Sequence, residues 1–366
     1  MIPDWKRFLG VDVNKQALLA FLGEYTTRYY SELGDMPYPG DSLYIAGLFT
    51  DPNVAKKISS VGVSSCADLY CSHEEADTRM LLHAMHADKE FGRKNTKGRI
   101  IVKSPDTDVF VLCVHFFPSM SNTKELWFQT GTITRTKDCR RYLPVHDICS
   151  MLGSVLCRVL PAAHALTGCD TTSSIFGVGK KTMYKVLKDS QKEFVDLSQT
   201  ACDDIETSVA VERKFVARLY DPKARFACDH GDLNKLRSRI AQQKDASLVK
   251  LPPCEATFRQ HVLRVSLQVY IWTSSSIAQP PVKSPLQFGW VNKNGLVPVY
   301  FDGQTSSDFL QDLLCTCKGK TLCSKGCVCF EQNLPCTELC PCQGNFSCNN
   351  SNMHTYTDDS DEEVDT

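Results

Sequence analysis

Residues 104–112 read "SPDTDVFVL": two carboxylates, Asp106 and Asp108, set between apolar runs. The run before them, "RIIV" at 99–102, is rich in β-branched residues and is expected as a strand over Arg99–Lys103. A carboxylate pair in this place has two readings. Ser-Pro-Asp is turn chemistry, in which an Asx-type hydrogen bond closes a surface turn. Alternatively, oxygen ligands at the C-terminal end of a strand stand where open α/β sheets place their ligands, and they suit a hard divalent cation.

Outward from this point, helical and strand periods alternate. A helix is expected from Glu74 to Gly92, with Ala76, Met80, Leu81, Ala84 and Met85 as its apolar face. "ELWFQTG" at 125–131 is expected as a strand, and "PVHDICSMLGSVLCRVL" at 144–160 as a helix. Strands interleaved with helices imply an α/β fold with a mainly parallel sheet flanked by helices. A helical extension follows, with candidate helices at Tyr184–Leu187, Val209–Tyr220 and Leu233–Gln243. The expected organisation is a helical lead-in (1–60), the α/β domain with its extension (61–250), an amphipathic helix and Pro/Ser-rich linker (251–314), a cysteine-rich module (315–350) and an acidic, disordered tail (351–366).

The 366-residue chain, 42% hydrophobic, is long enough for a sizeable core. A net charge of −1 gives no global footprint for nucleic acid, so any basic contact must be local. No apolar run of about 18 residues is evident, so no transmembrane helix is expected. The start "MIPDWKRFLG" lacks the apolar segment of a signal peptide, so a reducing interior, nuclear or cytoplasmic, is expected. There 19 cysteines favour metal ligation over disulfides.

Four features keep order: "HEEADTR" with Glu75 and Asp77, then Asp106 and Asp108, then Asp170 in "LTGCD", then "GVGKKT" at 177–182. Each has an ordinary explanation as a helix cap or glycine turn. Together they suit phosphodiester hydrolysis with Mg²⁺ or Mn²⁺, in which converging carboxylates hold two ions. In "GVGKKT", Gly177 and Gly179 bare the backbone amides of a helix start. Lys180, Lys181 and Thr182 add charge and a hydroxyl there, which suits a nucleic-acid phosphate.

These segments resemble the 5′-nuclease branch of the PIN-like superfamily, the flap-endonuclease and polymerase-associated exonuclease group. That family has an acidic helix start, a strand ending in D-x-D, and a G-x-D loop leading to a glycine-rich helical hairpin. The resemblance covers roughly residues 65–190. It implies a metal-dependent nuclease fold with Glu75, Asp77, Asp106, Asp108 and Asp170 as metal-binding carboxylates, and DNA or structured nucleic acid as partner. The family also begins with a strand bearing an early aspartate. Here Asp4, Asp12 and Asp41 lie in no apolar strand context. The alternative is therefore an incomplete, catalytically inactive nuclease fold that binds DNA or protein. The broader look, cysteine-rich tail included, is similar to uncharacterised invertebrate proteins related to mobile elements.

Residues 315–350 hold Cys315, Cys317, Cys323, Cys327, Cys329, Cys336, Cys340, Cys342 and Cys348, including three C-x-C pairs. Thiolates this dense bind zinc tetrahedrally, and bridging sulfurs let nine ligands hold about three ions. Few apolar residues lie here, so metal must supply most of the folding free energy. The segment is similar to the CXC domain of tesmin/TSO1-type proteins. That likeness implies a structural zinc cluster and, in some members, DNA contact. Gly326 stands where those members carry an aromatic residue. Cys113, Cys149 and Cys157 lie in apolar runs and are expected in the core; Trp272 and Trp290 are expected to pack the linker onto the body.

Overall fold

The apolar run at 98–103 forms strand β4 (Gly98–Lys103), whose alternation buries Ile100 and Val102 and exposes Arg99, Ile101 and Lys103. It pairs in parallel with β5 (Thr123–Thr130), Ile100 opposite Leu126 and Val102 opposite Phe128. The crossover between them is helix α4 (Thr107–Phe116). Asp106 caps it, accepting the Asp108 N–H at 2.8 Å. The second apolar run is thus helical: Val109, Leu112, Cys113 and Phe116 recur at helical spacing and are all buried. β5 pairs on its other side with β6 (Arg141–Pro144), antiparallel, giving the order β4-β5-β6.

This computed structural model describes residues 4–33, 40–134, 137–201, 204–243, 247, 250–301, 323, 327–331, 335, 336, 342 and 348–354. It divides into two units, Met1–Phe301 and Asp302–Thr366. The first is mixed α/β, but its sheets are not mainly parallel: β4–β5 is the one parallel pair among the described residues. The stretch expected as a helical lead-in holds helices α1 (Trp5–Leu9) and α2 (Asp12–Leu33), then an antiparallel sheet begins. Strands β1 (Ser42–Ala46), β2 (Ala55–Ser59) and β3 (Gly62–Ser65) pair in that order. The physical reason is connection length. A parallel pair needs a long crossover, and only α4 provides one; short loops allow antiparallel return alone.

Helix α3 (Ala76–Arg93) leads into β4, and α5 (Val145–Leu166), kinked at Gly153, follows β6. By length and composition α5 is apolar enough to cross a membrane. Here it is a core helix: Leu156, Cys157, Val159, Ala163 and Leu166 are buried in the main apolar cluster. Helices α6 (Lys180–Asp189), α7 (Ile205–Tyr220) and α8 (Leu233–Ala241) extend the body.

Helix α9 (Glu255–Thr273) shares that core instead of opening a linker. Phe258, Val262, Val265 and Trp272 are buried in the main cluster. Its polar face is buried too, including Gln260, His261, Arg264 and Gln268, so α9 is not amphipathic in its setting. The Arg264 guanidinium donates to the Gly289 and Val299 carbonyls. Those bonds fasten the next hairpin, β7 (Trp290–Asn292) and β8 (Leu296–Pro298), onto α9.

In the second unit, Cys323, Cys327, Cys329 and Cys336 are buried together with Phe330 packed against them. One helical turn, Val328–Glu331, carries Cys329. Cys315, Cys317 and Cys340, and the acidic stretch from 355 onward, lie outside the described residues.

Candidate metal centres

Two helix starts build the first site. Glu75 is the N-cap of α3 and Asp77 lies in its first turn. Asp106 is the N-cap of α4 and Asp108 lies in its first turn. Asp106 caps through its side chain and Glu75 occupies its cap position without such a bond, so at Asp106 the cap and metal readings are compatible. Each helix start presents free N–H groups and a positive dipole end, which favour anionic side chains there. Carboxylate oxygens of Asp77, Asp106 and Asp108 all lie within 4.8 Å of one another.

The loop after α5 adds Asp170, and all five carboxylates line one cleft of about 270 Å³. Gly168 makes the loop possible. Its φ is +104°, and a Cβ there would stand 2.7 Å from the Ser174 Cα. Helix α9 closes the cleft with Gln268 and Trp272. The buried Gln268 amide donates to both oxygens of Glu75, at 3.1 and 3.3 Å, and its carbonyl accepts from the Thr171 hydroxyl at 2.6 Å. His164, buried near the end of α5, donates from Nε2 to Asp108 Oδ1 at 2.8 Å. Trp272 is not merely a clamp for a linker: it is buried, lines the cleft, and its ring centre lies 6.0 Å from that of His164.

Among the described residues lining the cleft, none is Lys or Arg. The electrostatic result is clearest at Asp77, whose carboxyl is pushed up to about 6, first by burial and then by the charges of Asp106, Glu75, Asp108 and Asp170. Burial also raises Glu75, while hydrogen bonds from Gln268 and Trp272 oppose the rise. Clustered carboxylates without cationic side chains among them are relieved by a bound cation, and all-oxygen donors fit a hard one.

The "GVGKKT" segment behaves as two parts. Gly177, at φ +77°, and Gly179, the N-cap of α6, form the turn. Lys181 and Thr182 are exposed at the helix start. Lys180 is not a free phosphate ligand, contrary to expectation. Its ammonium donates to the His164 carbonyl at 2.6 Å, to the Thr167 hydroxyl at 3.1 Å and to the Gly168 carbonyl. Its three donors are consumed in satisfying the C-terminal end of α5 and the loop that carries Asp170. Burial lowers its pKa to about 8.

The second site lies in the C-terminal unit. Sulfurs of Cys323, Cys336, Cys342 and Cys348 lie within 4.8 Å of one another, and those of Cys327, Cys329 and Cys336 form a second such group. Cys336 belongs to both. Burial, foremost, pushes the Cys323 thiol up to about 12 and Cys336 further still. A cation that binds thiolates reverses this penalty, and the six sulfurs are the donor set zinc takes. Asn350 donates its side-chain amide to Cys336 Sγ at 3.3 Å, orienting the shared sulfur.

Of the five expected carboxylates, all reach one cleft. His164, Gln268 and Trp272 join the site without any sequence sign of it. Gln268 meets Glu75 across 193 residues, and such a pairing leaves no local pattern to read. Comparison of the chain with protein-family models, with characterised proteins and with solved structures gives no match.

Proposed function

We propose that this protein binds nucleic acid and hydrolyses phosphodiesters with Mg²⁺ or Mn²⁺ held in the acidic cleft. The observation that carries the reading is the approach of Asp77, Asp106 and Asp108 oxygens to within 4.8 Å, at two helix starts, without a lysine or arginine among the described lining residues. A bound divalent cation there supplies Lewis acidity toward a phosphoryl oxygen. Asp77, Asp106 and Asp108 hold it. His164 fixes the orientation of Asp108, and Gln268 fixes that of Glu75. Asp170 stands at the exposed rim, where a second ion or the substrate would meet solvent. Gly177, Gly179, Lys181 and Thr182 present amides, one cation and a hydroxyl to a phosphate backbone, while Lys180 braces the loop behind them. The PIN-like, 5′-nuclease-type assignment rests on the order of these motifs. The cysteine cluster is read as a structural zinc module, with about three ions once all nine cysteines are counted.

The test is cleavage of branched and single-stranded DNA in Mn²⁺, with wild type beside the double variant Asp106→Asn/Asp108→Asn. Wild type should cleave and the variant should not. Equal cleavage by both, or none by either, would sink the enzyme reading and leave a nuclease-like fold that binds nucleic acid or protein without hydrolysis.

A further inference from the structure

Two sheets in the first unit each end on a strand that, among the described residues, is paired on one side only, and both strands line one groove. The order β1-β2-β3 leaves β1 at an edge, and the order β4-β5-β6 leaves β4 at an edge. A groove of about 540 Å³ is walled by β1 through Tyr44 and Ala46 and by β4 through Ile101 and Lys103. Its floor is one stripe of α3, with Arg79, Met80 and His83 at helical spacing. Edge strands expose a row of N–H and C=O groups, and proteins ordinarily blunt them with a covering element or with short, charged strands. β4 is short and exposes Arg99 and Lys103, yet between them it places Ile101, 53% exposed, beside its open edge. A helix underneath and a strand edge on each side is the setting of a sheet with one strand position unfilled among the described residues.

We infer that this groove is a docking slot for one extended segment of a partner protein, which enters as a strand between β1 and β4 and joins the two sheets. Main-chain hydrogen bonds to both edges would supply affinity, and side chains at alternate positions would supply specificity. The lengths of β1 and β4 limit the segment to about six paired residues. Its chemistry follows from the lining. The apolar groups call for aliphatic side chains on the inward face. The basic side chains of the lining are Arg79, His83 and Lys103, with no carboxylate beside them. Arg79 donates to the His73 and Pro52 carbonyls, so its charge is anchored at the groove. Among the described residues neither Arg79 nor Lys103 forms an ion pair. The occupant is therefore an apolar-acidic segment.

The probe is a fluorescein-labelled peptide of about eight residues alternating valine and aspartate, titrated into the full chain and followed by anisotropy and amide hydrogen exchange. Binding in the micromolar range is expected, with slowed exchange in both Ser42–Ala46 and Gly98–Lys103. The matched valine–lysine peptide should not bind. Ile101→Asp and Lys103→Glu, both at exposed positions, should each weaken binding about tenfold, and circular dichroism should show the fold retained. Absence of binding by the valine–aspartate peptide, or binding that leaves either strand's exchange unchanged, would overturn the inference. So would edge amides already protected in the free protein: protection lost on dilution would assign the slot to a second copy, and protection independent of concentration to this chain itself.

Discussion

A carboxyl group whose pKa is raised to about 6 among four others would compete with protons for any cation the cleft takes. Asp77 is that group, raised by burial and by its acidic neighbours. Below about pH 6 it is protonated before any ion arrives, and above that it is a ready ligand. Mn²⁺ affinity should therefore plateau above pH 6 and fall about tenfold per pH unit below it. Calorimetric titration at pH 5, 6 and 7.5 checks this, and equal affinity at pH 5 and 7.5 would remove Asp77 from the ligand set. The same shift works against the metal-free fold. A carboxyl whose folded pKa lies above its unfolded value binds protons more tightly when folded, so stability falls as pH rises from about 4 to about 6 and stays lower above that. Added Mn²⁺ should return thermal stability most at pH 7.5 and least at pH 5. The His164 side chain reaches the carboxylates through its hydrogen bond to Asp108. His164→Gln keeps a donor and should cost little metal affinity, whereas His164→Leu leaves Asp108 without its partner and should weaken Mn²⁺ binding by about tenfold or more.

At the scale of elements, one helix start divides its two lysines between structure and surface. Lys180 is spent on three oxygens that end α5 and begin the Asp170 loop, while Lys181 points outward. Lys180→Met should cost about 2 kcal/mol, because it strands buried acceptors, and should lower the melting temperature by several degrees. Lys181→Ala should leave melting unchanged and weaken DNA binding, with a shallower salt dependence. A result with the roles reversed would move the phosphate contact back to Lys180. From sequence the two residues are indistinguishable, since both follow the same glycine turn. Other elements were more legible. α3 and β4 stand where their periods put them, because each has one face on the core and one face on water. α4 was hidden by its own burial: an unbroken apolar run fits a strand as well as a helix, and only the cap at Asp106 separates them. α9 misled in the other direction, since its polar face is sealed by partners far away in sequence, Glu75 among them. The first sheet was missed because its strands are short, and Lys56 and Lys57 interrupt the apolar signal in β2.

At the scale of the whole chain, two kinds of core predict two kinds of unfolding. The first unit, Met1–Phe301, is held by a continuous apolar cluster running from α3 through β4, β5, α5 and α9. The second, Asp302–Thr366, has sulfur where the first has hydrocarbon: its buried centre is four cysteines with Phe330 against them. A centre of that kind has too little apolar area to offset chain entropy, so bonding of the thiolates to a cation such as zinc would have to do so. Strong chelation should therefore expose the segment after Phe301 to protease while leaving the first unit intact, and the two events should be separable by mass spectrometry of the fragments. Within the cluster the cost of losing a sulfur depends on how many metal positions it serves. Cys336 belongs to both thiol groups and Cys342 to one. Cys336→Ser should thus release more zinc per chain than Cys342→Ser, read by elemental analysis, and should make the C-terminal unit protease-sensitive without a chelator. Equal zinc loss from the two variants would mean that the two groups are separate sites and that Cys336 bridges nothing.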